Sequence, residues 1–519
     1  MISLPLSSSV LLAAVSLSTM WPVSAPEPTS LPTSLSNGPV CHDKELLIKS
    51  IDIVDHPDLV DPGMPLHFGT IFSSLAGSLS VPGFARDWLT TWFSVQTVNK
   101  DRVFHPDQVA SIQGLIDDWE TEAGGIGSEL DPDFAPFRLL AIVNRPDLAR
   151  TVDGQIETAG ELRLVYSRWS VLGGQGVSSG EGLDELFIFE FDVPATSCEE
   201  VKAWHQAWQM LGNLELDSAA FRSQLTWMVQ EVVDPDPSNG RPNGSNLAQL
   251  RTNLFAEGCL TCDTNHWELR EFNIAPVLGA IGLGPLIPVT TKQTPDLGYL
   301  RWANFNPNLP HRGSRQVLED WLDANAVDIR AGIHVVPERF PLIDSALINA
   351  WKLADHDEYV AENGEVGLLG GQAINDQNET AQFPPGGFGA ARWWTPKYQP
   401  SNAANLTGKD SDTRHKFAIQ TCVGCHGGET GTGGTGRFQM MTPREVGEET
   451  SLAPFITGLT VPDLIFPNDS SMNRSFNDLR VREAAYLQIL GMNCSSESSG
   501  NGGLATMEAI QARRGSRPH

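Results

Sequence analysis

Cys422-Val423-Gly424-Cys425-His426 places two thiols three positions apart, with an imidazole directly behind the second. Thiols at this spacing can add across both vinyl groups of one haem, and the histidine that follows can bind the iron from one face. C-x-x-C-H is the signature of c-type haem attachment. The pentapeptide therefore predicts a single covalent haem c, held by Cys422 and Cys425, with His426 as proximal ligand. A redox disulfide is the competing use of two such cysteines, but thioredoxin-like motifs follow a strand in a βαβ setting, which this stretch lacks. A tetrahedral zinc site needs further ligands.

The other face of the iron asks for a soft or imidazole donor, and a thioether opposite histidine gives high-potential electron carriers. Met440, Met441 and Met472 all lie between the motif and the last long helical pattern. Each also fits core packing, and a vacant sixth position would turn the chemistry toward small ligands or peroxide.

Other short motifs carry less. Gly431–Gly436 satisfies G-x-G-x-x-G, but a dinucleotide site requires a strand before it and a helix after it. Gly176–Gly180 satisfies G-x-S-x-G in a Gly/Ser loop, where no nucleophile elbow is expected. Asp234–Gly240 lacks the turn glycine and closing glutamate of a calcium loop. Asp355-His356-Asp357-Glu358 reads as an exposed acidic turn, and Trp393-Trp394 as interdomain packing.

The elements that must position the haem motif are legible around it. Arg414–Thr421 has helical character and leads into it, and Phe476–Leu490 is an amphipathic helix with Leu479, Tyr486, Leu487 and Leu490 available for one side. Upstream, Gly160–Tyr166 and Phe187–Asp192 alternate as half-buried strands, while Phe137–Val143 is apolar throughout except for Arg138. Strands so close together predict an antiparallel sheet. Ser197 and Glu200 open a helix carrying Val201, Trp204, Trp208 and Leu211, and Phe221–Val232 forms a second. Trp267–Ile274 and Leu286–Thr291 read as further strands, and Ser345–Leu353 as a short helix.

The expected fold class is α+β: a mixed module with an antiparallel sheet and helices, 41–397, and a small, mainly α haem domain, 398–494. Residues 1–25 read as a signal peptide, 26–40 as a flexible lead-in and 495–519 as a tail with a short helix near Met507–Gln511. No later apolar run reaches the ~18 residues of a membrane span, so a periplasmic or secreted location is expected. With the haem pair set aside, Cys41, Cys198, Cys259, Cys262 and Cys494 remain, which predicts two disulfides and one thiol with connectivity open. The 519 residues carry a formal charge of −28, from 63 acidic and 35 basic side chains. Such an excess repels nucleic acid and anionic membranes and selects a redox partner protein with a basic patch.

The helix entering C-x-x-C-H, together with the closing helix that contains Ala485-Tyr486-Leu487, resembles the small monohaem c-type cytochrome fold, in which two terminal helices cross beside the haem. This resemblance covers about one fifth of the chain. More broadly, Arg414–Gly458 resembles a group of uncharacterised secreted bacterial proteins with a C-terminal monohaem domain. Those proteins carry C-x-G-C-H, then an aromatic, then a ligand-type residue just before Pro-Arg. Phe438 and Pro443-Arg444 match that pattern, which implies Met440 as the distal iron ligand where the group has histidine. Leu139–Asp147, Trp267–Phe272 and Thr291–Asp296 extend the resemblance upstream, and it brings no activity with it. Three readings follow: a one-electron carrier, a periplasmic oxidoreductase whose N-terminal module holds the substrate, or a surface-binding protein with a structural haem.

Overall fold

The computed structural model describes residues 39–76, 79–94, 96–98, 103–105, 109–169, 182–233, 246–256, 266–275, 285–289, 319–320, 322–331, 397–398, 400–419, 429–430, 440–494 and 501–514. Among these, the chain forms an eight-stranded antiparallel sheet and a set of helices, the α+β architecture expected. The strands are β1 (Leu47–Ile48), β2 (Phe137–Arg145), β3 (Arg150–Val152), β4 (Gln155–Trp169), β5 (Gly182–Pro194), β6 (Leu247–Ala256), β7 (His266–Ile274) and β8 (Leu286–Val289). They lie in the order β1-β2-β4-β5-β6-β7-β8, with β3 folded back on β4.

The period-2 alternation sorts the sheet into two unlike faces. Tyr166, Phe187, Phe189 and Phe272 line one of them and are fully buried. Helices α1 (Phe68–Ala76) and α2 (Val81–Thr90) supply its cover. Phe68 sits at the centre, its ring 4.1 Å from Phe137 and 5.4 Å from both Tyr166 and Phe189. Trp88 packs against Phe72, Phe187 and Phe272. Each such ring withdraws enough apolar area to contribute about 2–3 kcal/mol.

The residues in between carry charge. In register, Arg163 faces Glu190, Glu190 faces Gln249, and Arg251 faces Glu271. Arg163 Nη1 lies 2.9 Å from Glu190, and Arg251 Nη2 lies 3.0 Å from Glu271. All five side chains are buried, so the ladder neutralises across strands charges that could not be buried singly. Gly160 has φ +124°, and a Cβ there would come within 2.4 Å of the Arg145 carbonyl. Glycine is what lets β4 close on the Arg145-Pro146-Asp147 turn.

Helices α3 (Val109–Glu122), α4 (Cys198–Gly212) and α5 (Ala219–Val233) follow the expected patterns where these were read. Ser197 caps α4 by accepting from the Glu200 amide, while the Glu200 carboxylate accepts from the Thr196 amide rather than closing the box on Ser197. Toward the C-terminus come α6 (Gly408–Ala418), α7 (Asp478–Leu490) and α8 (Asn501–Arg514). Val40–His519 clusters as one compact unit. The stretch expected as a separate small domain, 398–494, shares a continuous apolar core with the sheet module through Met441, Phe455, Ile456, Leu479 and Tyr486.

Two expectations change here. The closing helix α7 packs chiefly against α4 and the Pro146–Leu148 turn, and the crossing of terminal helices that the cytochrome resemblance implied is not its principal contact. Its buried stripe is Leu479, Arg482, Tyr486 and Ile489, whereas Leu487 is 49% exposed. Spacings of three and four set that face, and Leu487 falls outside it. The helix expected in the tail near Met507–Gln511 is present but longer, and it is docked, with Met507 and Ile510 buried in α8 and Gly503 laid against Cys198. Cys198 and Cys494 are joined as a disulfide, while Cys41 is a free thiol.

Among the described residues no single helix is long and apolar enough to cross a membrane. The signal peptide, Cys259, Cys262 and the readings at Gly176–Gly180, Asp234–Gly240, Ser345–Leu353, Asp355–Glu358, Trp393-Trp394 and Gly431–Gly436 lie outside the described residues.

Candidate functional site

Cys422, Cys425 and His426 also lie outside the described residues, so the site is built from what stands on either side of them. The entering helix α6 begins with a capping box: Thr407 accepts from the Asp410 amide, and Asp410 accepts from the Thr407 amide at 2.8 Å. Its sequence is polar, yet Ser411, Thr413, Arg414 and His415 are buried. Buried polar side chains need partners, and each of these has one. Ser411 donates to Asp463 at 2.7 Å, and Arg474 binds both Asp463 and Asp412. Arg330 donates to Thr413 at 2.7 Å.

The decisive partner is Glu429, three residues beyond His426. Arg414 grips it with two parallel bonds of 2.5 and 2.8 Å, and His415 Nδ1 lies 2.7 Å from the same carboxylate. Burial by itself raises a carboxyl pKa. At Glu429 the Arg414 guanidinium and His415 outweigh it and hold the pKa at about 2. Burial lowers the His415 imidazole, with Glu429 only partly opposing the shift. The His415 ring also packs edge-on to Phe476, 5.7 Å away. The last turn of α6 and Glu429 are thereby fastened to each other on either side of the pentapeptide, at sequence separations of 15 and 14.

The three methionines separate clearly. Met441 pairs with Leu452 in an extended bridge and is 5% exposed, so its side chain belongs to the core. Met440, at the bend before it, packs against the same apolar core. Met440 is half-buried, and its carbonyl accepts from Ala453 at 2.8 Å. Met472 touches Gly408, at the first turn of α6. That is about 15 Å from the Ala418 end, at 1.5 Å per residue. The Pro443-Arg444 pair is a clamp. Arg444 binds Asp55 at 2.6 and 2.7 Å, donates to the Leu139 carbonyl at 3.0 Å, and so ties the Met440 loop to β2.

No protein-family model, curated protein or solved structure matches the chain. Its chemistry therefore rests on its own residues. Two thiols followed by an imidazole are the residue types that covalent haem attachment calls for, and the described residues on either side of the pentapeptide, α6 and Glu429, are bonded to each other. Among the described residues no group of three His, Cys, Asp or Glu side chains converges to hold a bare metal ion. Sequence reading missed Glu429 as the closing partner. The signal was a helix too polar for its own burial, which demands a counter-charge somewhere beyond the motif.

Proposed function

We propose that this chain is an exported c-type haem protein that passes single electrons through one covalently attached haem. The observation that carries the reading is the Cys422–His426 pentapeptide, entered by a capped helix and bracketed by the Arg414/His415–Glu429 clamp. When bound, the haem supplies one-electron cycling between ferric and ferrous iron. Cys422 and Cys425 would form the thioethers, His426 would bind the proximal face, and Met440 is the favoured distal donor. Glu429 and Arg414 neutralise each other within the protein. The acidic surface would steer a basic partner toward the protein in the periplasm or outside the cell.

The test is a spectroscopic titration of the full chain, made with c-type maturation. A six-coordinate, low-spin spectrum that ignores added carbon monoxide supports electron carriage, and Met440→Ala should then open the site to that ligand. A wild-type protein that binds carbon monoxide readily would contradict the carrier role.

A further inference from the structure

The sheet module contains a cleft of about 520 Å³ that the haem reading does not use. Its back wall is apolar, built from Leu66, Phe68, Phe137, Leu139 and Tyr166. Its lip carries Asp61 and Asp133, with Glu122 also lining it. Gly69 makes the closeness possible, because a Cβ there would come within 2.0 Å of the Pro132 carbonyl. Without one, the start of α1 lies directly against the Pro132–Phe134 turn, and His67 comes beside Asp133.

Two polar groups in this cleft lack the partners that their surroundings offer. His67 is only 7% exposed, and its Nδ1 accepts the Gly69 amide at 3.2 Å. That bond leaves the proton of the neutral ring on Nε2, and Nε2 has no hydrogen bond among the described residues. Burial lowers the His67 pKa, partly opposed by Asp133 and Asp61, which favours the neutral ring. Arg138 lies over Trp169, 4.4 Å from the ring centroid, and forms no ion pair among the described residues. Trp169 is itself fixed beside Arg444, 5.9 Å away. Asp61, Asp133 and Glu122 are likewise outside every ion pair among the described residues. Opposite charges sharing one cleft without pairing form a template for a ligand that brings both signs.

We propose that this cleft binds a zwitterionic α-amino acid with an apolar side chain. The ammonium would lie between Asp61 and Asp133, the carboxylate would take the Arg138 guanidinium and His67 Nε2–H, and the side chain would cover the apolar wall. A carboxylate suits the planar, multidentate guanidinium. A bare metal ion does not suit the site, because the three acids do not converge.

Calorimetry on the full, haem-loaded chain with three probes decides it, without reference to redox activity. L-phenylalanine should bind saturably. Phenethylamine, which lacks the carboxylate, and 3-phenylpropanoate, which lacks the ammonium, should each bind about tenfold or more weaker. Arg138→Gln should weaken phenylalanine by a similar factor and leave phenethylamine unchanged. Asp133→Asn should weaken phenylalanine and leave 3-phenylpropanoate unchanged. Both side chains are exposed, so the variants should keep the fold. Absence of phenylalanine binding, equal affinity for either truncated probe, or indifference to Arg138→Gln overturns the proposal.

Discussion

The aromatic face of the sheet and the flanks of the haem motif are held together by opposite means. Around Phe68 and Trp88 the order comes from large rings removed from water, which is non-directional and tolerant of exchange. Around α6 it comes from Ser411–Asp463, Arg330–Thr413 and Arg414/His415–Glu429, each of which fails if one partner is lost. Apolar burial builds the scaffold. Paired polar groups fasten the residues on either side of the pentapeptide to each other.

The largest effect should come from the scaffold. Trp88→Ala empties a fully buried site and should lower stability by about 3–5 kcal/mol in denaturant unfolding, while haem content of the surviving folded protein stays at one per chain. Glu429→Gln attacks the other region. It leaves the buried Arg414 guanidinium without its counter-charge, and should cost roughly 3 kcal/mol and reduce the yield of haem-loaded protein. Equal haem loading in both variants would erase the proposed division of labour.

Acid should take the regions apart in sequence. Burial lowers the His205 pKa to about 4, against its hydrogen bond to the Ala159 carbonyl, so its folded value lies below the ordinary 6.5. Between these values the unfolded chain holds the extra proton. Stability from this histidine is complete above pH 6.5 and is lost as pH falls toward 4, on the order of 2–3 kcal/mol. Glu429 is depressed from 4.5 to about 2, so its contribution stands above pH 4.5 and is lost as pH falls toward 2. Unfolding measured from pH 7 to 3 should show the first loss under way by pH 5, before the second begins below pH 4.5, and His205→Gln should reduce the first alone.

How far the sequence could be read follows the same divide. Strands were legible at Gly160–Tyr166 and Phe187–Asp192 because apolar and charged residues alternate there, although the structure buries both faces rather than the one face expected. β6 was not, since Leu247, Leu250 and Leu254 fall at spacings of three and four, which is a helical period. In α7 an inward Arg482 hid the true stripe and drew attention to the exposed Leu487. The haem pentapeptide is local and needed no fold to be seen. Its closing partner Glu429 pairs across the motif with residues 14 and 15 positions away, and no periodicity marks such a bond. Arg138, the lone charge in an apolar run, gave a hint of the cleft that its strand edges.

The smallest effect should come from Arg482 itself. Burial lowers its pKa, its guanidinium is 3% exposed, and Nε and Nη1 have no hydrogen bond; Asp478 is its ion-pair partner. A buried charge so sparsely paired is a poor stabiliser. Arg482→Met should raise the thermal midpoint, by the equivalent of about 1 kcal/mol. A fall of that size would mean that the buried arginine supports the fold after all.

The central claim, a single haem bonded to Cys422 and Cys425, is tested most directly by a pyridine haemochrome spectrum of the exported full chain. The account predicts a c-type spectrum at one haem per polypeptide, surviving acid–acetone extraction and lost when both cysteines are changed to serine. A colourless protein whose mass spectrum shows Cys422 bridged to Cys425 would contradict it.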